Sequence, residues 1–220
     1  MTINNSGFKK LDEFFSRFKK LNFKKGETIL RAGDDPRGVY FLKKGYVRLY
    51  SISEDAQELT LIIFKPEDFF PLIWAFTGTT PNQYYLEAMG HVEIWQVPRD
   101  KFVEFVKTNG DVLFELTSRI LIRLGGLIER INYMVFGNAG NKVASIISIC
   151  AERFGSLGKD GILIEVFLTH KNLADLLGMA RETVSIEVKK LEKKGFIEYH
   201  GRHIIVKNVK RLKEESLLGT

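Results

Sequence analysis

The side chains with the most chemistry to offer lie near the C-terminal end, where Arg181, Glu182, Ser185 and Lys189 follow one another at helical spacing. Steps of one, three and four residues gather them on one side of a helix. Their groups match the edges of duplex DNA. An arginine fork pairs with guanine, a carboxylate accepts from the cytosine amino group, and a hydroxyl or an ammonium holds the phosphate backbone. In isolation the same stretch would equally be a helical hairpin with a solvated charged face, so the elements that position these residues decide the matter.

Those elements are legible from Leu168 to Lys194, LTHKNLADLLGMARETVSIEVKKLEKK. Counting from His170, Ala174 is fifth, Gly178 ninth and Val184 fifteenth, with Leu173, Leu177 and Val188 in apolar slots. A small Ala174 lets a second helix cross closely over the first, Gly178 takes the positive φ that ends the first helix, and Val184 anchors the second in a core. Thr169 reads as the N-cap of the first helix. Next comes GFIEYHGRHIIV, Gly195 to Val206, two short β-type runs around a glycine turn. This is a wing whose basic tip joins His200, Arg202 and His203, with Arg202 placed to meet a phosphate when the second helix sits in a major groove. The spacing predicts a winged helix-turn-helix with double-stranded DNA as its partner.

Composition agrees. At 220 residues, 45% apolar and 12% aromatic, the chain can fill two cores. Net charge is +6, with 14 Lys/Arg against 10 Asp/Glu from residue 137 onward, and the pI is near 9.3. The mild basic bias suits a polyanion without identifying one. Cys150 is the sole cysteine, in an apolar helical stretch, so it reads as a core residue. No intrachain disulfide can form, which points to a reducing cytoplasm. The opening MTINNSGFKKLDEFF has no apolar signal region, and no run approaches the roughly 18 apolar residues of a membrane span, so neither secretion nor a membrane partner is expected.

Upstream, short apolar runs alternate with Gly- or Pro-marked turns: Glu27–Leu30, Val39–Leu42, Tyr46–Tyr50, Leu59–Phe64 and His91–Trp95. They predict a small antiparallel β-roll or jelly roll, with a preceding helical segment, Phe8–Phe18, packed on it. From Gly110 to Phe136 the period becomes helical. Leu113, Leu116, Ile120, Leu124, Leu127, Ile131 and Met134 form a seam of about four heptads, read as a dimerisation helix. Leu121, Ile122 and Ile128 supply a second apolar face, suited to the roll. Gly125-Gly126 is a weak point at roughly 1 kcal/mol per glycine. The hinge Phe136–Asn141, a helix from Lys142 to Phe154 and a Gly-rich loop, Gly155–Gly161, lead into the helix-turn-helix. The fold class expected is α+β, divided as an effector-type roll (1–109), a dimerisation helix (110–136) and a DNA-binding domain (137–220).

A roll with the turn VYFLKKGYV at Val39–Val47, a long helix, and GMARETVS followed by the wing resemble the Crp/Fnr family of bacterial transcription regulators over nearly the whole chain. The resemblance implies a homodimer on a near-palindromic site, RNA polymerase as a further partner, and a small-molecule effector bound between roll and long helix. It makes Arg181 and Glu182 the family's base-reading pair and Ser185 a base contact used by some members. Ile186 departs from it. Cyclic-AMP-type members carry a third base-reading arginine there, whereas an isoleucine would meet a thymine methyl. Ala180 replaces the usual Ser or Thr cap, a change worth about 1 kcal/mol.

The effector side departs further. Cyclic-nucleotide binders of the family have a Phe-Gly-Glu segment and an Arg-Ser pair, where this chain has Phe70-Pro71-Leu72-Ile73-Trp74 and Asn82-Gln83; an adenine-contacting Thr-Ser pair is replaced by Leu127-Ile128. Pro71 lacks an N–H, Leu72 cannot accept a hydroxyl proton and no cation remains for a buried phosphate. No cofactor is expected either. One cysteine cannot hold an iron–sulfur cluster, and His91 beside a turn is a surface residue rather than a haem ligand. What remains is an apolar pocket of Leu72, Trp74, Phe76, Tyr84, Leu127 and Ile128, with Asn82 and Gln83 as polar contacts, for a neutral or aromatic ligand. The alternatives are a regulator of the same fold that needs no effector, in which these side chains simply fill the roll, and a cupin-like metal enzyme. The last lacks clustered ligands, since three of the four histidines, His170, His200 and His203, lie outside the roll. No nucleophile triad or phosphate loop suggests catalysis.

Overall fold

The computed structural model describes residues 5–78 and 83–217. The chain forms two compact units. One comprises Met1–Ser51 with Leu61–Leu124, the other Ile52–Thr60 with Gly125–Thr220.

The first unit runs α1 (Asn5–Ser16), β1 (Lys19–Phe23), β2 (Thr28–Leu30), β3 (Val39–Lys44), β4 (Val47–Ile52), β5 (Glu58–Phe64), β6 (Phe69–Phe70), α2 (Leu72–Thr77), β7 (Tyr85–Ala88), β8 (Val92–Val97), α3 (Arg99–Thr108) and the start of α4 (Gly110–Phe136). Its strands make two four-stranded sheets, ordered β1-β8-β3-β6 and β2-β7-β4-β5. Strand β3 shows why the sequence VYFL is apolar without alternation: both faces are covered. Tyr40 and Leu42 enter the roll interior with Leu30, Val47, Phe64, Phe70, Leu86, Val92 and Ile94. Val39 and Phe41 point the other way, onto Leu11 and Phe15 of α1, Phe102 and Val106 of α3, and Val112 and Leu116 of α4. Phe15 stacks on Phe41 at 4.9 Å and Phe14 on Phe105 at 3.9 Å. The turn into β4 needs a glycine, because at Gly45 φ is +86° and a Cβ would stand 2.2 Å from the His91 carbonyl oxygen.

The second unit contains Ile52–Thr60, which includes the first three residues of β5, and the rest of α4, then α5 (Ala139–Phe154), β9 (Gly155–Gly158), β10 (Gly161–Ile164), α6 (His170–Leu177), α7 (Arg181–Lys193), β11 (Ile197–His200), β12 (His203–Val206) and α8 (Val209–Glu215). Asn138 and Asn141 form a capping box that starts α5. Helix α5 buries Val143, Ile146, Ile147, Cys150 and Phe154, and the helices packed on it bury Leu173, Leu177, Val184, Val188 and Leu191. The Gly-rich stretch expected as a loop, Gly155–Gly161, is instead a hairpin. β9 pairs with β10, and the wing strands extend the sheet to β11-β12-β10-β9. Ladder hydrogen bonds override the weak strand preference of glycine because each strand has a partner. Helices α2 and α8 and strands β1, β6 and β7 are further elements that the apolar runs did not mark.

Candidate nucleic-acid interface

Helix α6 begins where Thr169 and Asn172 cap one another. Thr169 Oγ1 accepts from the Asn172 N–H at 3.2 Å, and Asn172 Oδ1 accepts from the Thr169 N–H at 3.0 Å. It ends at Gly178 in the left-handed conformation, φ 60° and ψ 38°. Two residues later α7 starts after Ala180, which offers no side-chain cap. Val184, Val188 and Leu191 are the buried stripe of α7. Arg181, Glu182, Ile186 and Lys189 are exposed and Ser185 is half-buried. Among the described residues Arg181, Lys189 and Arg202 enter no ion pair, whereas Lys190 is held by Glu187 at 2.8 Å and Lys194 by Glu215 at 2.6 Å.

The wing is tied to the start of α6: Tyr199 donates its hydroxyl to the Leu168 carbonyl at 3.2 Å, and its ring meets His170 edge-on at 5.5 Å. Burial pushes the His170 pKa down, opposed by Glu192 and reinforced by Arg181 and Lys189. Arg202 is exposed at the wing turn and His200 is exposed beside it. His203 does not join them. Its Nδ1 lies 3.0 Å from the Ile164 carbonyl oxygen and its ring packs on Phe167 at 4.4 Å, because the strand pairing turns it onto the sheet. The basic tip is therefore smaller than the sequence suggests, and Lys207 close by is paired with Glu198 at 2.8 Å.

The same unit is fastened at Arg130, a largely buried guanidinium. Nη2 donates to the Thr60 carbonyl at 2.8 Å and also to the Leu176 carbonyl in the last turn of α6. Leu59 stands beside it, its Cδ1 in ordinary contact range of a Cβ built on Gly178. Burial lowers the Arg130 pKa, partly offset by Tyr133 and Cys150.

Along α4 the expected seam is partly corrected. Leu116 is fully buried among the helices of its own unit and cannot face a partner. Leu113, Ile120, Leu124, Leu127 and Ile131 are exposed and Met134 is half-buried. Among the most open apolar side chains are Phe114, Leu121, Ile128 and Val135, 60–75% exposed and spaced by seven. Leu121, Ile122 and Ile128, read as a second face packed on the roll, are all more than half exposed. A shallow groove of about 590 Å³ runs along the later part of the stripe, lined by Gly125, Ile128, Ile131, Asn132, Val135 and Phe136.

The effector residues are not one set. Leu72 and Trp74 lie on α2 and pack into the helix-side core. Arg99 Nε donates to the Trp74 carbonyl at 3.1 Å, and Phe76 meets Phe102 edge-on. Leu72, Trp74 and Phe76, read as lining one pocket, lie on a short helix, where side chains two apart do not share a side. Gln83 is exposed and Tyr84 half-buried, Leu127 and Ile128 are exposed on α4, and Asn82 lies outside the described residues. His91 is exposed near Glu93. Among the described residues no three His, Cys, Asp or Glu side chains come together as metal ligands, and no helix is long and apolar enough to cross a membrane.

Known proteins follow the same plan. Residues 20–109 match the cyclic nucleotide-binding domain and residues 141–215 the Crp-like helix-turn-helix domain. The chain is 30% identical over 189 residues to the global nitrogen regulator of Nostoc sp. (strain PCC 7120), covering 84% of this chain and 83% of that one. It is 25% identical over 197 residues to the cAMP-activated global transcriptional regulator CRP of Pasteurella multocida (strain Pm70), covering 89% and 93%. A transcriptional regulator of the CRP/FNR family from Thermus thermophilus superposes with a TM-score of 0.71 at 26% identity, over 90% of this chain and 97% of that one. A mutant of CooA from Carboxydothermus hydrogenoformans shares the fold, with a TM-score of 0.76 at 24% identity over 92% and 89%. The chain belongs to the Crp/Fnr family of DNA-binding transcription regulators.

Two features escaped the sequence reading. The seven-residue spacing of Phe114, Leu121, Ile128 and Val135 was there to be read, one residue out of phase with the chosen seam. Arg130 announced itself only as a charge within an apolar helix, and its carbonyl partners are distant in sequence.

Proposed function

We propose that the chain works as a homodimer on near-palindromic duplex DNA, with α7 in the major groove. Arg181, Glu182 and Ser185 read base edges, while Lys189, Arg202 and the N-terminus of α6 at Thr169 hold phosphates. The single observation that carries this is the α7 surface: its apolar stripe is buried, and its other side presents Arg181 and Lys189 without ion-pair partners. The two copies pair along α4 through Phe114, Leu121, Leu124, Ile128, Ile131 and Val135, flanked by Leu113, Ile120, Leu127 and Met134. The functional division is roll 1–109, pairing helix 110–136 and DNA-binding domain 137–220, acting in the cytoplasm, with the Gly155–Gly161 hairpin and its 90% exposed Leu157 facing RNA polymerase.

Selection of bound duplexes from a random pool tests the reading. A palindromic consensus is expected, and Arg181→Ala should cost about 1 to 3 kcal/mol and relax one position per half-site. No consensus, or an unchanged one in the variant, would overturn it.

On the input side two readings stand. A small molecule other than a cyclic nucleotide controls DNA binding, or none does. The roll interior, filled by Phe64, Phe70 and Leu86, with Phe64 and Phe70 in contact at 4.8 Å, favours a regulator that needs no effector. Tight DNA binding by effector-free protein, with no thermal shift across a metabolite library, is the result that reading expects.

A further inference from the structure

Every exposed position of α7 but one carries a charge: Arg181, Glu182, Lys189, Lys190 and Lys193. The exception is Ile186, 56% exposed and opposite the buried stripe of Val184, Val188 and Leu191. A β-branched residue gains nothing from helix formation at such a site, and it lies outside the buried stripe of its helix. One helical turn separates it from Glu182 on one side and from Lys189 and Lys190 on the other, and Ser185 is its neighbour in sequence. A helix lying in the major groove on this face therefore presents one apolar group among hydrogen-bonding ones. The major-groove edges of the bases carry one apolar group in turn, the C5 methyl of thymine.

We propose that Ile186 is a specificity-determining residue that packs on a thymine methyl, fixing an A·T pair in each half-site next to the bases read by Glu182 and Ser185. The proposal rests on α7 being the reading helix and adds what one of its positions selects. Burial of one methyl-sized group supplies about fourfold in affinity per half-site.

The test uses the full-length protein and the duplex selected by it. Each thymine is replaced in turn by deoxyuridine, which removes the methyl and leaves every hydrogen-bonding group. One position per half-site should then bind about fourfold more weakly, or about fifteenfold when both half-sites are changed. With Ile186→Ala, a substitution at an exposed helical site checked for folding by circular dichroism, thymine and uracil should bind alike at that position. Arg181→Ala should keep the difference while relaxing another base. Equal thymine and uracil affinities throughout for the wild-type protein, or a difference that persists in Ile186→Ala, would overturn the proposal while leaving α7 as the reading helix. Failure to select any sequence would overturn both.

Discussion

Arg130 donates from Nη2 to the Thr60 carbonyl oxygen at 2.8 Å, linking the long helix to the first residues of β5. The same nitrogen reaches the Leu176 carbonyl, one of the groups that the end of an α-helix leaves without an internal donor. A cation there is also favoured by the helix dipole. Arg130→Met should destabilise the protein by about 1.5 to 3 kcal/mol, the range for hydrogen bonds to a charged group. Hydrogen exchange should quicken at residues 58–60 and 176–178. Arg130→Lys should recover only part, since an ammonium lacks the planar fork. Unchanged exchange in both segments would remove Arg130 as their tie.

Alkaline stability should depend on Cys150 and Tyr133, two buried acids close to Arg130. Burial pushes the Cys150 thiol from 9.0 up to about 12 and the Tyr133 hydroxyl from 10.0 up to about 12. Both folded-state values are raised, so the folded chain holds these protons more tightly than the unfolded one. Their contribution is complete below about pH 9 and is lost as pH rises toward 12. Denaturant midpoints measured from pH 7 to 11 should fall above pH 9, less steeply for Tyr133→Phe, and Cys150 should resist alkylation until the chain unfolds.

The two helix starts should respond to mutation in opposite directions. Thr169→Ala removes a working capping box from α6 and should cost about 1 kcal/mol. Ala180→Ser gives α7 a cap that it lacks and should add about 1 kcal/mol. Thermal unfolding checks both, and equal shifts of the same sign would contradict the capping geometry.

On α4, the proposed pairing predicts that Leu121→Glu with Ile128→Glu gives a folded monomer in sedimentation, with DNA affinity greatly reduced. Leu116→Ala should instead lower stability by about 2 to 5 kcal/mol, as for a core leucine, without altering oligomeric state. A double variant that still sediments as a dimer would place the partner surface elsewhere.

What the sequence disclosed depends on how local each determinant is. Thr169, Gly178, Val184 and the wing turn at Gly201 are local signals, and the structure has the cap, the left-handed turn, the buried anchor and the strand pair that they imply. The long helix was equally clear, because its apolar period persists for 27 residues. Phasing that period was harder: Leu116 and Phe114 are both apolar, and only the packing of α1 and α3 determines that the first is core and the second is open. Leu72 and Trp74 misled for a related reason. Six residues after a strand that ends at Phe70 carry little periodicity, and their helix is fixed by the core they pack against. Strand β9 was hidden by its glycines, and in the sequence Ile186 is only a departure from a family pattern, whereas the fold makes it the one uncharged exposed position of α7.

The segment Ile52–Thr60 clusters with residues that follow it by more than sixty positions, and Thr60 shares a guanidinium with Leu176. The C-terminal unit is consequently not contiguous in the gene. A fusion joint or a truncation placed at residue 137 would deliver the reading helices without Arg130 or the Ile52–Thr60 segment, leaving the last turn of α6 to water. Recombination that exchanged DNA-binding modules at that joint would have to re-create this fastening from the recipient's own long helix and its counterpart of Ile52–Thr60.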